Sequence, residues 1–291
     1  MSGSFPTQPM RFPEIPLWAI ALIGLGPFGL AVVLGIATIT TDSCTPRASR
    51  HRGRHATLMH RHDAAAATRE LKVAGVTKVE LAAPGDLTIV LGETEMLRIE
   101  GEPEDLARLT TEVHGDRLTI AARKSLADEP TYHLTVKQLS AITITGSGDV
   151  TAPDLKGDEV ALTLTGTGDL KAGLVEAKTV QVRLASSGDA QLRGVRAGLL
   201  DVVTPGSASL KIDGGEVEEQ RITIHGSGDY AARDLRSARA TATINGSGEM
   251  ALWARDSLRV TINGSGRVAY RGQPAVEQRI HGSGEIERLG D

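Results

Sequence analysis

Residues 141–150 read AITITGSGDV and residues 161–170 read ALTLTGTGDL. Their shared cassette, Gly-Ser-Gly-Asp in its commonest form, begins at Gly146 and returns at Gly166, Ser186, Gly206, Gly226, Gly246, Gly264 and Gly282, in five steps of twenty residues and two of eighteen. A fixed period of this length marks stacked repeats, each of which buries its apolar face only against its neighbours.

Aligned on the cassette, the copies read as strand, turn, strand. Six, four and two residues upstream stand Val160, Leu162 and Leu164, then Val180, Val182 and Leu184, then Leu258, Val260 and Ile262. Period-two alternation sends these side chains to one face and leaves the Thr, Arg and Gln between them in water. Four residues downstream runs a second apolar column: Val150, Leu170, Ala190, Leu210, Tyr230, Met250, Val268 and Ile286. The cassette between the columns supplies Gly for backbone angles other residues resist, and an Asp or Ser that can bond nearby amides in a tight turn. The predicted fold is therefore all-β, a parallel β-helix of about eight rungs of 18–20 residues spanning 141–291. Rungs about 4.8 Å apart would join the columns into one interior.

Outside the array the organisation changes. Residues 1–15 are a polar tail, and 16–40 form an uncharged, almost wholly apolar stretch long enough for one transmembrane helix. An uncleaved anchor is favoured over a signal peptide, because no clear small-x-small site follows. Cys44 lacks the small apolar run that precedes a lipoprotein acylation site and reads as an ordinary residue, and a single cysteine cannot form an internal disulfide. Residues 41–70 read as a basic linker; its His51, His55, His60 and His62 lack regular ligand spacing and read as part of a solvated tether. Residues 71–140 carry strand patterns over 76–81, 87–91, 96–100, 118–122 and 132–136 without the twenty-residue period, as expected of an atypical terminal unit that caps a repeat array.

Charge and composition narrow the function. The whole chain is −4; residues after 70 hold 25 basic and 32 acidic residues, net −7, and aromatics are 3% of the chain. Such a body has neither the basic face nor the stacking rings that nucleic acid requires, so no nucleic-acid partner is expected.

The Asp column, Asp149, Asp169, Asp189 and Asp229 with Glu249 and Glu285, could be imagined to hold Ca²⁺. It also contains Ser209 and Arg267, so a turn role is expected, with no metal, no cofactor and no catalytic residue assigned. His225 and His281 stand three rungs apart, about 14 Å at β spacing, too far to act on one bond. The cassette serines have no positioned base and no Gly-x-Ser-x-Gly elbow. Asn245-Gly-Ser and Asn263-Gly-Ser match glycosylation acceptors but fall in tight turns and are discounted.

The lead-in and the repeats, with VTINGSGRVAYRGQP over 260–274 as the most specific stretch, resemble the head GIN domain family, whose members carry an auto-transporter adhesin label. The resemblance covers about residues 71–291 and implies a β-helical, envelope-associated bacterial protein without established catalytic residues. This copy departs from the pattern at Ser186 and at Pro205-Gly206-Ser207-Ala208-Ser209. The expected role is a non-enzymatic binding or structural head, anchored in the membrane through residues 16–40 and facing envelope polymers or other cell-surface proteins. The alternative is a self-assembling scaffold, that is, a homo-oligomer stacked end to end. A polysaccharide-active enzyme would need clustered carboxylates and stacking aromatics that the sequence scarcely offers. Orientation is contested: Arg47, Arg50, Arg52, Arg54 and Arg61 after the apolar stretch put the β-domain in the cytoplasm by the positive-inside rule, whereas the resemblance puts it outside.

Overall fold

A computed structural model describes residues 67–290. The apolar stretch 16–40, Cys44 and the linker histidines lie outside the described residues, so the transmembrane reading rests on sequence alone. Among the described residues no helix is long and apolar enough to cross a membrane.

The lead-in contains β1 (Ala67–Lys72), β2 (Lys78–Ala82), β3 (Asp86–Leu91), β4 (Met96–Gly101), a single helical turn α1 (Pro103–Leu106), β5 (Leu109–His114), β6 (Arg117–Ala122) and β7 (Thr131–Val136). The array follows as β8 (Ala141–Ile144), β9 (Val150–Ala152), β10 (Leu155–Leu164), β11 (Leu170–Leu184), β12 (Ala190–Thr204) and β13 (Ser209–Ile212). It continues as β14 (Gly215–Gly226), β15 (Asp229–Gly246), β16 (Glu249–Gly264), β17 (Arg267–Arg271), β18 (Ala275–Gly282) and β19 (Glu285–Arg288). Strands of the array pair in parallel one period apart: Leu162 lies opposite Val182, Val182 opposite Val202, and Ile244 opposite Ile262. The architecture is an all-β parallel solenoid of about seven turns, the number of full circuits between eight cassettes.

Both apolar columns point inward. Leu162, Leu164, Val182, Leu184, Val202, Ile224 and Ile262 are all at most 2% exposed, as is the second column from Val150 to Val268. Asp149, Asp169 and Asp189 stand exposed at the corners. The core is thus a stack of branched aliphatics, continuous with the lead-in through Val79, Leu81, Ile89, Leu118, Ile120 and Leu134.

The lead-in is itself built of rungs, taken out of order. On one side β2 pairs in parallel with β8, Leu81 against Ile144, and on its other side with β6, Leu81 against Ile120. Likewise β3 lies between β9 and β7. The chain therefore lays β2–β3 first, steps outward to place β6–β7 on the far side, and returns to lay β8–β9 on the vacant face. Beyond β6 and β7 the direction reverses: β5 pairs antiparallel with β6, β4 with β7, and β1 with β4. These antiparallel strands cap the N-terminal end. Two of them, β1 and β5, are absent from the strands expected from sequence, and β1 starts at Ala67 inside the stretch read as linker. Its amphipathic alternation is weak, with Arg69 and Leu71 half-buried, and only pairing with β4 defines it.

Candidate functional surface

The cassette corner is where the sequence concentrates its special residues, and stacking decides its chemistry. Asp149 Oδ1 accepts the backbone N–H of Asp169 at 2.8 Å; Asp169 does the same for Asp189, and Asp189 for Ser209. Each carboxylate thus caps the next rung rather than its own turn. The glycines serve the same stacking. A Cβ on Gly166 would overlap the carbonyl oxygen of Gly146, and one on Gly168 that of Gly148. In these early corners the requirement for Gly is one of space: Gly146, Gly166 and Gly206 are not among the positive-φ residues, contrary to the backbone-angle role expected from sequence.

The corner changes form after the departure at Pro205–Ser209. Ser209 cannot extend the carboxylate chain, and the Asp229 N–H is bonded by the Ala208 carbonyl instead, at 3.3 Å. From there the first cassette glycine turns to positive φ, 131° at Gly226, 149° at Gly246, 139° at Gly264 and 131° at Gly282. A backbone bond already made once in the early array, Thr167 N–H to Gly146 O, now recurs at successive corners: Ser247 N–H to Gly226 O, Ser265 N–H to Gly246 O and Ser283 N–H to Gly264 O. Asp229 still receives the Glu249 N–H, at 3.2 Å.

As a metal site the column offers little. Ser209, Asp229, Glu249, Arg267 and Glu285 lie in direct register, with the Arg267 guanidinium 3.3 Å from Glu285. Among the described residues no three His, Cys, Asp or Glu side chains gather to hold an ion. A groove of about 410 Å³ runs beside the column, lined by Asp169, Asp189 and Ser209 along one register column and by Lys171, Gln191 and Lys211 along the next.

The residue just before each cassette makes a second ladder. Asn263 donates to Asn245 Oδ1 at 2.7 Å, and the Asn245 amide lies 3.2 Å from His225 Nδ1. His281 stands opposite Asn263, so His225 and His281 are three rungs apart in one column, separated by two amides. Both Asn245 and Asn263 sit inside this ladder.

Two features were not drawn from sequence. A fully buried polar group crosses the interior: Tyr230 Oη donates to Gln220 Oε1 at 2.9 Å, and Gln220 Nε2 donates to Ser237 Oγ at 2.8 Å. Ser237 Oγ in turn donates to the Trp253 carbonyl at 2.7 Å. Burial pushes the Tyr230 phenol well above its ordinary pKa, so it remains a neutral donor. The signal was available, since Gln220 occupies the column of Val160, Val180, Leu200 and Leu258. Close by, the Arg236 guanidinium lies 4.9 Å over the Trp253 ring, at a depression of about 480 Å³ lined also by Glu216, Glu218 and Arg255.

The broad surface is made of outward columns. On one face, successive rungs present Thr143, Thr163, Arg183, Val203, Thr223, Thr243, Thr261 and Arg279 in register. These are short, mostly uncharged polar side chains on a rigid sheet.

A family model described as "Putative auto-transporter adhesin, head GIN domain" matches residues 75–274. Solved structures of similar fold include a "putative lipid binding protein" from Parabacteroides distasonis, 21% identical, with a TM-score of 0.70 over 77% of this chain and 97% of that one. A "putative adhesin" from Parabacteroides merdae is 20% identical, with a TM-score of 0.69 over 77% of this chain and 96% of that one. Another "putative adhesin" from P. distasonis is 20% identical, at a TM-score of 0.68 over 78% and 98%. At such identity the likeness shows the fold. No curated protein matches the sequence.

Proposed function

Starting from the chain's membership of the head GIN domain family, we propose that this solenoid is a non-enzymatic recognition head displayed on a membrane. The observation that carries the reading is the repeated outward column from Thr143 to Arg279: five of its eight rungs offer the same threonine hydroxyl in register. A surface of that kind suits a partner that is itself repetitive, such as an envelope polymer or an array of cell-surface proteins. Each contact is weak, and strength comes from many copies held on one surface. The apolar stretch 16–40 supplies the anchor in this reading, with the solenoid on the extracytoplasmic side.

The residues from Ala67 onward contain every described strand and the whole described core, so a fragment from there to Asp291 is the reagent of choice. It is expected to bind isolated envelope material poorly in solution and strongly when arrayed on beads. Tight one-site binding of a small molecule, or turnover of an envelope glycan, would reject the display reading. Orientation is tested separately: with Cys44→Ser and an exposed Asp158→Cys, labelling of intact cells by an impermeant thiol reagent is expected, and protection until lysis would place the head inside.

A further inference from the structure

The solenoid has unlike ends. At the N-terminal end the outermost parallel strands are covered by antiparallel β5 and β4. At the other end no described residue pairs with the outer edge of β18 or β19. Side chains that would belong to the core lie open there: Val276 is 40% exposed and Ile280 38%, although their partners one rung inward, Leu258 and Ile262, are buried. Such an edge presents a row of unsatisfied N–H and C=O groups ready to pair with another strand.

We propose that this end is a homotypic docking surface, on which β18 of a second copy pairs antiparallel with β18 about a two-fold axis through Gln278. The sequence of the strand, Ala275-Val-Glu-Gln-Arg-Ile-His-Gly282, is self-complementary in that register. On the inward side Val276 meets Ile280 of the second copy, covering Leu258 and Ile262. Between these two apolar pairs the Gln278 side chains, stacked on Val260, face each other, each amide able to donate to the other. On the outward side Glu277 meets Arg279 of the second copy, twice over, because the contact is symmetric. Moving the axis to a neighbouring residue destroys this. Centred on Arg279 or on Glu277, the strand sets like charges directly opposite one another, which is destabilising. Within one copy Glu277 already holds Arg259 at 2.9 Å and Arg279 at 3.1 Å, so pairing extends an existing charge chain across the axis. Charges on an edge strand ordinarily deter pairing; one of each sign, two residues apart, instead selects a partner strand identical to itself. The two-fold uses up both open edges, so the assembly stops at two copies. Head-to-tail stacking would instead have to seat β18 on the outer edge of β5.

The test uses the full chain in detergent micelles. Light scattering is expected to show a species of two copies that falls apart on dilution. With Cys44→Ser, a Gln278→Cys variant should cross-link to itself under mild oxidation, because residues opposed on an antiparallel pair have Cα atoms about 4.5–5.5 Å apart, within disulfide reach. Arg279→Glu, at an exposed position, should weaken pairing by about tenfold or more, and mixing that variant with Glu277→Lys should restore a mixed pair. A single copy at every concentration overturns the proposal. So do particles that keep growing with concentration, or a Gln278→Cys chain that stays single under oxidation.

Discussion

The carboxylate of Asp149 accepts the backbone N–H of Asp169, twenty residues later, at 2.8 Å. Because Asp169 then does the same for Asp189 and Asp189 for Ser209, one side chain on each of these three rungs fastens the next rung's corner, and the three carboxylates are exposed. A charge-assisted bond at an exposed site contributes modestly, whereas emptying a packed aliphatic site leaves a cavity. Asp169→Ala is therefore expected to cost about 1 kcal/mol, and Leu164→Ala about 2–5 kcal/mol. Denaturant unfolding of the two variants side by side checks this, and equal losses would show that the columns are not the main source of stability.

The stacking of glycines leads to a sharper expectation. A Cβ on Gly166 has no room beneath the Gly146 carbonyl, a backbone atom that cannot rotate away, whereas one on Gly214 would meet only the Asp234 carbonyl, at 3.7 Å. Gly166→Ala should cost about 1–3 kcal/mol or more by forcing rungs apart. Gly214→Ala should be neutral or slightly stabilising, since it restricts the unfolded chain. Thermal melts of both would decide the matter; a benign Gly166→Ala would mean that rung spacing at the corner is slack.

These two cases also show what could be read from sequence. Period and alternation identified the solenoid, because Leu162, Val182 and Val202 report burial through spacing alone. The glycine and Asp columns were visible too, and the backbone-angle role holds at Gly226, Gly246, Gly264 and Gly282, but at Gly166 and Asp149 the role lies between rungs. A turn read in one dimension suggests backbone angles and local capping, while the Gly166–Gly146 approach and the Asp149–Asp169 bond exist only once rungs stack. The out-of-order path of β2, β6 and β8 was illegible for a related reason: no fixed period links Leu81, Ile120 and Ile144, although they are neighbours in one sheet.

Removal of calcium is expected to leave the melting temperature unchanged. In the column, Oδ1 of Asp149, Asp169 and Asp189 is committed to an amide, and Arg267 occupies the same register. A site bound only in the native state at a hundred times its dissociation constant would add about 2.7 kcal/mol, so a chelator would lower the melting point measurably if the column held an ion.

Acid sensitivity should arise in part from the N-terminal cap. The buried carboxylate of Asp105 accepts the N–H groups of Asp128 and Ala127 and pairs with Arg108 at 2.9 Å. Those bonds, the Asp128 amide foremost, hold its pKa below the ordinary carboxylate value. The folded state therefore gains stability from this group above the unfolded pKa of about 3.9, and loses it as pH falls through the lower folded value. Asp105→Asn should flatten the stability profile below about pH 5. An unaltered slope would mean that the carboxylate does not anchor the 123–130 loop.

The buried group at Gln220 gives the most discriminating mutational test, because its parts are expected to be non-additive. Tyr230→Phe removes a donor and leaves Gln220 Oε1 without it in a dry interior; Gln220→Leu removes the acceptor and strands the Tyr230 hydroxyl. Each single change should cost about 1–3 kcal/mol, the penalty for an unsatisfied buried polar group. Together they leave two apolar side chains facing each other, with Ser237 still bonded to the Trp253 carbonyl. The double variant should then lose less than the two single losses combined, by about 0.5–3 kcal/mol in a double-mutant cycle. Strict additivity would mean that the Tyr230–Gln220 bond contributes no coupling energy, and that any loss in Gln220→Leu arises from its other contacts, in a column where Val180 and Leu200 already stand.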